Sequence, residues 1–355
     1  MMLSRSIKIL SALMLLTAPA AAQISLTPPA ATPAPAPEKP KAAKPPAPAK
    51  KKEAAPAPKP SPSPPPAATV IPAPPTDNSN VDLVYGAFQR GQYKTAFDLA
   101  TARAQVGDPK AMTMLGQLYS GALGIKRDYA RAAEWYRRAS DAGDREAMLE
   151  LAMLRMAGRG GPIDKGEAVK LMASAAKLGQ PKAAYNLALL YLDGQTLPQD
   201  VRRSAELLRQ AADAGLPEAQ YALATFYKEG TGVPKDIDKA VRLLQAATLA
   251  DNVDAEVEYA IAMFNGTGTP QNKPAAVALL RKAARQNSPI AQSRLAWLLV
   301  YGAGTPVDKI EGFKWHLVAR TAGKGEPELD KQFSELNPED RAKAEAAAKK
   351  WLGTK

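Results

Sequence analysis

The stretch DPKAMTMLGQLYSGALGIKRDYARAAEWYRRASDAG, residues 108–143, decides the fold. Asp108 and Pro109 form a helix start: a carboxylate at the cap, then proline at the first helical position, where its missing donor costs nothing. Ala111, Met114, Leu115 and Leu118 follow at the spacing of one helix face. Gly121 and Gly124 end that helix. Asp128 caps a second one, whose Ala132, Trp135, Tyr136 and Ala139 again share a face, and Gly143 closes the unit.

The same frame returns every 36 residues, six times over. Alanine opens each unit at Ala111, Ala147, Ala183, Ala219, Ala255 and Ala291. Four residues on stand Leu115, Leu151, Leu187, Leu223, Tyr259 and Leu295. Mid-unit come Asp128, Asp164, Asp200, Asp236, Asn272 and Asp308. Trp135, Leu171, Leu207, Leu243, Leu279 and Trp315 follow, each trailed four residues later by an alanine, from Ala139 to Ala319. Two helical patterns in a fixed period of this length predict an all-α fold, an α/α solenoid of helix pairs over 108–323. One unit cannot bury its own apolar faces, whereas stacked units can.

The flanks read as caps. Residues 81–107 suit a shorter helix pair around the turn Arg90-Gly91-Gln92, and terminal repeats are often atypical. Residues 324–355 leave the period. Asn337-Pro338-Glu339-Asp340 is a helix start with acids over the positive end, and Trp351 and Leu352 can cover the last repeat.

Residues 1–22 read as a secretory signal peptide: Arg5 and Lys8, an apolar run Ile9 to Leu16, then Ala20-Ala21-Ala22 before Gln23. That run falls short of the ~20 residues of a membrane span. No cysteine follows it, which excludes a lipid-anchored lipoprotein. The expectation is a periplasmic protein, or a secreted one, with no transmembrane span in the mature chain. Residues 23–80 are Pro/Ala-rich with Lys39, Lys41, Lys44, Lys50, Lys51, Lys52 and Lys59 interspersed. Proline removes a donor and disfavours helix before it, so this segment reads as a disordered spacer.

The chain has no cysteine and one histidine. Thiol chemistry, thiolate metal sites and a cysteine nucleophile are excluded, and His316 has no second histidine for a metal site or relay. It stands where the first unit has Tyr136, a packing position. Gly230-Thr231-Gly232 and Gly266-Thr267-Gly268 follow helices and lack the remaining residues of a phosphate-binding loop. The recurring aspartates are explained by capping. No catalytic set, cofactor site or metal site is expected. The formal charge of +12 suits weak contact with anionic envelope polymers. Nucleic acid is not expected, because an exported chain seldom meets it.

The pattern D-P-x-A-x-x-x-L-G-x-L-Y-x-x-G, then G-x-x-x-D-x-x-x-A-x-x-W-Y-x-x-A-x-x-x-G, resembles the Sel1-like repeat, a relative of the tetratricopeptide repeat. Residues 108–143, 180–215 and 216–251 fit best. Residues 144–179 depart at Arg155, where the family has an aromatic, and 252–287 close on Asn287 instead of glycine. The resemblance implies a right-handed superhelix and a protein-interaction role, in bacteria often that of an exported adaptor or regulator, here holding another exported or membrane-bound protein. A cysteine-rich branch is linked to penicillin binding. A cell-wall-associated role in binding or acting on peptidoglycan, including β-lactamase-like activity, is therefore the alternative, disfavoured by the absent cysteines.

By the same resemblance the first helix of each unit lines a concave surface. Leu149, Met153 and Met156 then point inward, followed by Tyr185, Leu189 and Leu192, by Tyr221, by Val257, Ile261 and Phe264, and by Trp297. The first unit offers the polar Lys110, Thr113, Gln117 and Ser120 at these places. Met153, Tyr185, Leu189, Tyr221, Ile261, Phe264 and Trp297 are the candidate partner-binding residues. The alternative is that they only pack between first helices. Second helices carry mixed charge, with Arg131, Arg137, Arg138, Arg202, Arg203, Arg209 and Lys239 among Glu134, Glu206 and Asp238, the pattern of a solvated outer face.

Overall fold

A computed structural model describes residues 79–353. The expected signal segment and nearly all of the expected spacer lie outside the described residues. Within them the secondary structure is helical, with no strand. The helices are α1 Ser79–Gln89, α2 Tyr93–Gln105, α3 Pro109–Gly121, α4 Tyr129–Asp141, α5 Arg145–Ala157, α6 Lys165–Lys177, α7 Pro181–Asp193 and α8 Val201–Asp213. They continue as α9 Pro217–Glu229, α10 Ile237–Leu249, α11 Val253–Asn265, α12 Lys273–Arg285, α13 Pro289–Tyr301, α14 Lys309–Thr321, α15 Pro327–Ser334 and α16 Pro338–Leu352. Each helix packs chiefly on its neighbours in sequence, and α16 folds back onto α14. This is the solenoid that the period predicts.

Every helix from α2 to α14 has 13 residues, about 20 Å of rod at 1.5 Å per residue. Capping holds that length constant. Asp128, Asp164, Asp200, Asp236, Asn272 and Asp308 each accept the backbone N–H three residues on, at the start of α4, α6, α8, α10, α12 and α14. The mid-unit aspartates are helix caps, as their spacing requires. First helices end on a left-handed residue: Gly158, Gly194, Gly230, Gly266 and Gly302, with Ala122 (φ 58°) in the first unit. The loop that follows also touches the preceding unit. A Cβ on Gly232 (φ +67°) would stand 2.6 Å from the Val201 carbonyl oxygen at the start of α8, so that glycine is required twice over.

The two alanine columns are at the centre of the stack. Ala147, Ala183, Ala219, Ala255 and Ala291 are wholly buried, as are Ala139, Ala175, Ala211, Ala247, Ala283 and Ala319. Between them the deepest large side chain of the first five second helices is, in turn, Tyr136, Met172, Leu208, Leu244 and Leu280. The preceding residue, where the sequence pattern places the packing leucine, is only half-buried at Trp135, Leu171, Leu243 and Leu279, while Leu207 and Trp315 are buried.

Tyr136 fits because its opposite number is glycine. A Cβ on Gly116 would lie 2.4 Å from the Tyr136 ring. Later units carry Ala152, Ala188, Ala224, Ala260 and Ala296 there, against narrower residues than tyrosine.

The last unit is closed by α15 and α16. Trp315 is buried with its ring 4.9 Å from that of Trp351, and Phe313 meets Phe333 at 5.5 Å. His316 is wholly enclosed, and its Nε2 lies 2.9 Å from Asp330 Oδ1 on α15, which also binds Arg320 at 3.0 Å. The lone histidine is a packing residue that also ties the cap to the stack. The His316 hydrogen bond, then Arg320, holds the Asp330 carboxyl below the usual carboxylate range. That contribution to stability is complete above the unfolded carboxyl pKa and is lost as pH falls through the lower folded value.

Candidate functional site

Positions 1, 4, 5 and 8 of the helical stripe on each first helix lie side by side from unit to unit. On α5 they are Glu146, Leu149, Glu150 and Met153, and on α7 Lys182, Tyr185, Asn186 and Leu189. On α9 the stripe carries Glu218, Tyr221 and Thr225, and on α11 Asp254, Val257, Glu258 and Ile261. Cross-links fix the register. Asn186 Nδ2 approaches Met153 Sδ at 3.9 Å, Lys228 binds Glu258 at 3.0 Å, and Gln180 donates to Glu146 at 3.2 Å. The stripe continues over α13 with Ile290, Arg294 and Trp297.

Met153, Leu189, Tyr221, Ile261 and Trp297 are half-buried on this surface, which leaves each an open flank. Tyr185 is nearly enclosed. Burial, with Glu218 nearby, pushes its phenol up to about 12. Burial also raises the Tyr221 phenol, with Glu258, Asp254 and Glu229 adding to it. Phe264 stands apart. It is buried, and the Lys273 ammonium of α12 lies 5.3 Å from its ring. Its equivalent in the last unit, Val300, is the side chain that a Cβ on Gly312 of α14 would strike. Phe264 therefore faces its own second helix, off the stripe that joins the other six. Two exposed aromatic and apolar groups escaped the sequence reading at the far end: Ile290, and Tyr301 with its ring 4.6 Å from Trp297.

The carboxylates between these side chains are the larger omission. Burial, then Glu146, raises the Glu150 carboxyl, with Lys182 opposing. Burial, then Glu258, raises that of Asp254. A carboxyl whose folded pKa exceeds its unfolded one destabilises the fold above the folded value, and the penalty vanishes below the unfolded value, near pH ~4. Glu150→Gln is therefore expected to raise the Tm at pH 7 and to leave it unchanged at pH 3.5. Calorimetry at the two pH values checks this, and an equal shift at both would mean that packing, not charge, is responsible.

Arg155 departs from the aromatic of other units for a local reason. It is buried and pairs through Nε with Glu167 Oε2 at 2.7 Å. At the equivalent places of the first unit Arg131 donates to the Tyr119 hydroxyl at 3.3 Å, so the cation has changed sides and a carboxylate has replaced the phenol.

The outer face is charged and partly self-paired, as in Arg138–Glu134, Arg203–Glu206 and Lys239–Asp236. Among the described residues no group of three or more His, Asp or Glu side chains is placed to hold a metal ion. No described helix is long and apolar enough to cross a membrane.

The Sel1 repeat model matches residues 109–144, 145–180, 181–216, 217–252, 253–288 and 289–324. No curated protein matches the chain. Among solved structures, a Sel1 repeat protein from Oxalobacter formigenes is 26% identical, with a TM-score of 0.62 over 68% of this chain and 99% of that one. A protective antigen with an SLR fold, c5321, present in uropathogenic Escherichia coli strains, is 23% identical, with a TM-score of 0.52 over 73% of this chain and 64% of that one.

Proposed function

Because this chain belongs to the Sel1 repeat family, a fold that generally mediates protein–protein interaction, we propose that it is a non-enzymatic scaffold, adaptor or regulator of the bacterial cell envelope. It holds another exported or membrane-bound protein against the first-helix face. The observation that carries this reading is the stripe itself. Met153, Leu189, Tyr221 and Ile261 lie half-open on four consecutive first helices, whereas a stripe serving only the stack would be closed. Stacked repeats build extended concave surfaces of this kind, and apolar anchors on them carry most of the binding energy. The signal-like residues 1–22 support export to the periplasm, with secretion as the variant of that reading.

The test is site-specific photo-crosslinking in cells. A crosslinker at Leu189 or Ile261 is expected to capture a discrete partner, and one at the outer Arg202 is not. Leu189→Asp and Ile261→Asp should abolish capture from Tyr221 with the Tm nearly unchanged. Phe264→Asp should unfold the fifth unit instead, because that ring is core. Capture from Arg202 alone would move the interaction to the second helices, and cell fractionation that left the chain in the cytoplasm would remove the envelope role.

A further inference from the structure

The outer groove between consecutive second helices opens into a cavity of about 270 Å³ where α8, the end of α9 and α10 meet. Leu223 and Leu243 give it apolar surface, and Arg209 of α8 faces Lys239 and Arg242 of α10 across it. In the register of Arg242, α4 and α8 have Glu134 and Glu206, each of which pairs with an arginine of its own helix. Lys239 is answered by Asp236 at 2.9 Å, whereas Arg209 and Arg242 have no carboxylate within 4.0 Å among the described residues. Tyr227 stands between these cations. It is 8% exposed, its hydroxyl accepts from Arg209 at 3.2 Å, and the Lys239 ammonium lies 5.4 Å from its ring centre. Having accepted that hydrogen bond, the phenol keeps its own proton, for which the described residues offer no acceptor. The cavity therefore has a nearly enclosed donor beside its two unpaired cations.

Two units on, the same groove is furnished differently. Arg281, in register with Arg209, borders a cavity of about 500 Å³ there, with Leu299 in the place of Tyr227. The cap helix α16 brings a carboxylate, Asp340, to that cavity, and Asp308 is a second. At the cavity of α8 to α10 no capping helix intervenes. Its cap residue Asp236 is taken by Lys239, and the remaining acid is Asp213, exposed at the end of α8. We propose that this cavity binds a phosphate monoester. The phosphate lies between Arg209 and Arg242 with the Tyr227 hydroxyl donating to it, and the carbons of its alcohol lie over Leu223 and Leu243. The charges and the donors set this class. Two unpaired guanidinium groups balance the charge of a monoester at neutral pH, about −1.5 to −2. Donors from three consecutive helices suit the three oxygens of a phosphate better than the flat pair of a carboxylate. The site is on the outer helices and is independent of the protein partner proposed for the first-helix face.

The experiment is calorimetric titration of the full chain with glycerol phosphate at low salt, with acetate as the comparison. One saturable site for glycerol phosphate is expected. Arg209→Gln or Arg242→Gln should weaken it about ten-fold, the scale of one lost hydrogen bond to a charged group. Tyr227→Phe should weaken it less, and Asp213→Asn should tighten it by removing the opposing charge. Arg202→Gln, also exposed on α8 but outside the cavity, should leave it unchanged, as should Leu189→Asp on the first-helix face. Arg209, Arg242 and Asp213 are exposed, and a thermal melt of each variant checks that the fold is kept. Vesicles containing phosphatidic acid present the same group on a lipid. Sedimentation with them that Arg242→Gln abolishes, without a response to free glycerol phosphate, would support the site and put its phosphate on a membrane. Equal binding of acetate and glycerol phosphate overturns the phosphate assignment. Affinity unaltered by Arg242→Gln and Asp213→Asn overturns the site, and so does an absence of binding to both glycerol phosphate and the vesicles.

Discussion

Trp315→Ala is expected to lower the unfolding free energy by ~3–5 kcal/mol, the range for truncating a fully buried tryptophan. The indole is 1% exposed. It lies between Trp351 of α16, at 4.9 Å, and the Lys314 ammonium, 4.1 Å from its ring centre, so its loss detaches the final helix as well as opening a cavity. The indole Nε1 is buried without a hydrogen-bond partner. Trp315→Phe therefore surrenders area but no hydrogen bond, and should cost clearly less than Trp315→Ala. Urea unfolding measures both. In a solenoid each unit contacts only its neighbours, so the damage should be local. Hydrogen exchange in Trp315→Ala should accelerate over α13 to α16 and leave α3 to α8 protected. Removing residues 324–355 takes the same logic further, baring Phe313, Trp315 and His316 together, and should produce aggregation. A truncated chain that stays monomeric with an unchanged Tm would show that α15 and α16 do not cap the stack.

The repeat frame was legible in the sequence because its markers have no substitutes. A wholly buried alanine at a helix crossing leaves little room for anything larger, and an N-cap is held to the few short side chains that can accept a helix N–H, so both columns recur in register for six units. Depth was less legible. Positions 135 and 136 are about 100° apart on the helix, and Ala132 and Ala139 do not decide which of the two points inward. Tyr136, Leu208 and Leu280 take the interior, while Trp135, Leu243 and Leu279 lie at its edge. The same ambiguity put Phe264 on the stripe with Ile261, although three residues are enough to turn a side chain toward α12.

The candidate site was half legible. Apolar residues at stripe positions stand out against the polar Gln117 and Thr113 of the first unit. Glu150, Glu218 and Asp254 do not stand out, because an acid on a helix is ordinarily solvated and paired. Only the folded arrangement shows that burial raises the Glu150 carboxyl and leaves one oxygen of Glu218 without a hydrogen-bond partner. His316 shows the limit of composition. One histidine excludes a histidine pair, but it does not foretell that Asp330, fourteen residues on, supplies a partner from α15.

Gly116→Ala should destabilise the protein by ~1–3 kcal/mol, the usual range for overpacking, and against helix propensity. On propensity alone, replacing a mid-helix glycine by alanine stabilises by roughly 0.5–1 kcal/mol. Gly116 is inside α3, where its φ is helical, so no backbone constraint opposes alanine. The steric effect wins because the new methyl would sit 2.4 Å from one Tyr136 ring carbon and 2.6 Å from the next. That ring has no free direction in which to withdraw: it is 1% exposed, and its hydroxyl lies 3.2 Å from the Ser120 hydroxyl. The later units indicate the compensation. Where they carry alanine at this place, as at Ala188 and Ala224, they carry Leu208 and Leu244 opposite. Tyr136→Leu alone should be destabilising through the cavity it leaves, and Gly116→Ala with Tyr136→Leu should recover most of both losses. The coupling in that double-mutant cycle, read from urea midpoints, is expected to be favourable by more than ~1 kcal/mol. Simple additivity of the two substitutions would mean that α3 shifts away from α4 to make room, and that the glycine is not what admits the ring.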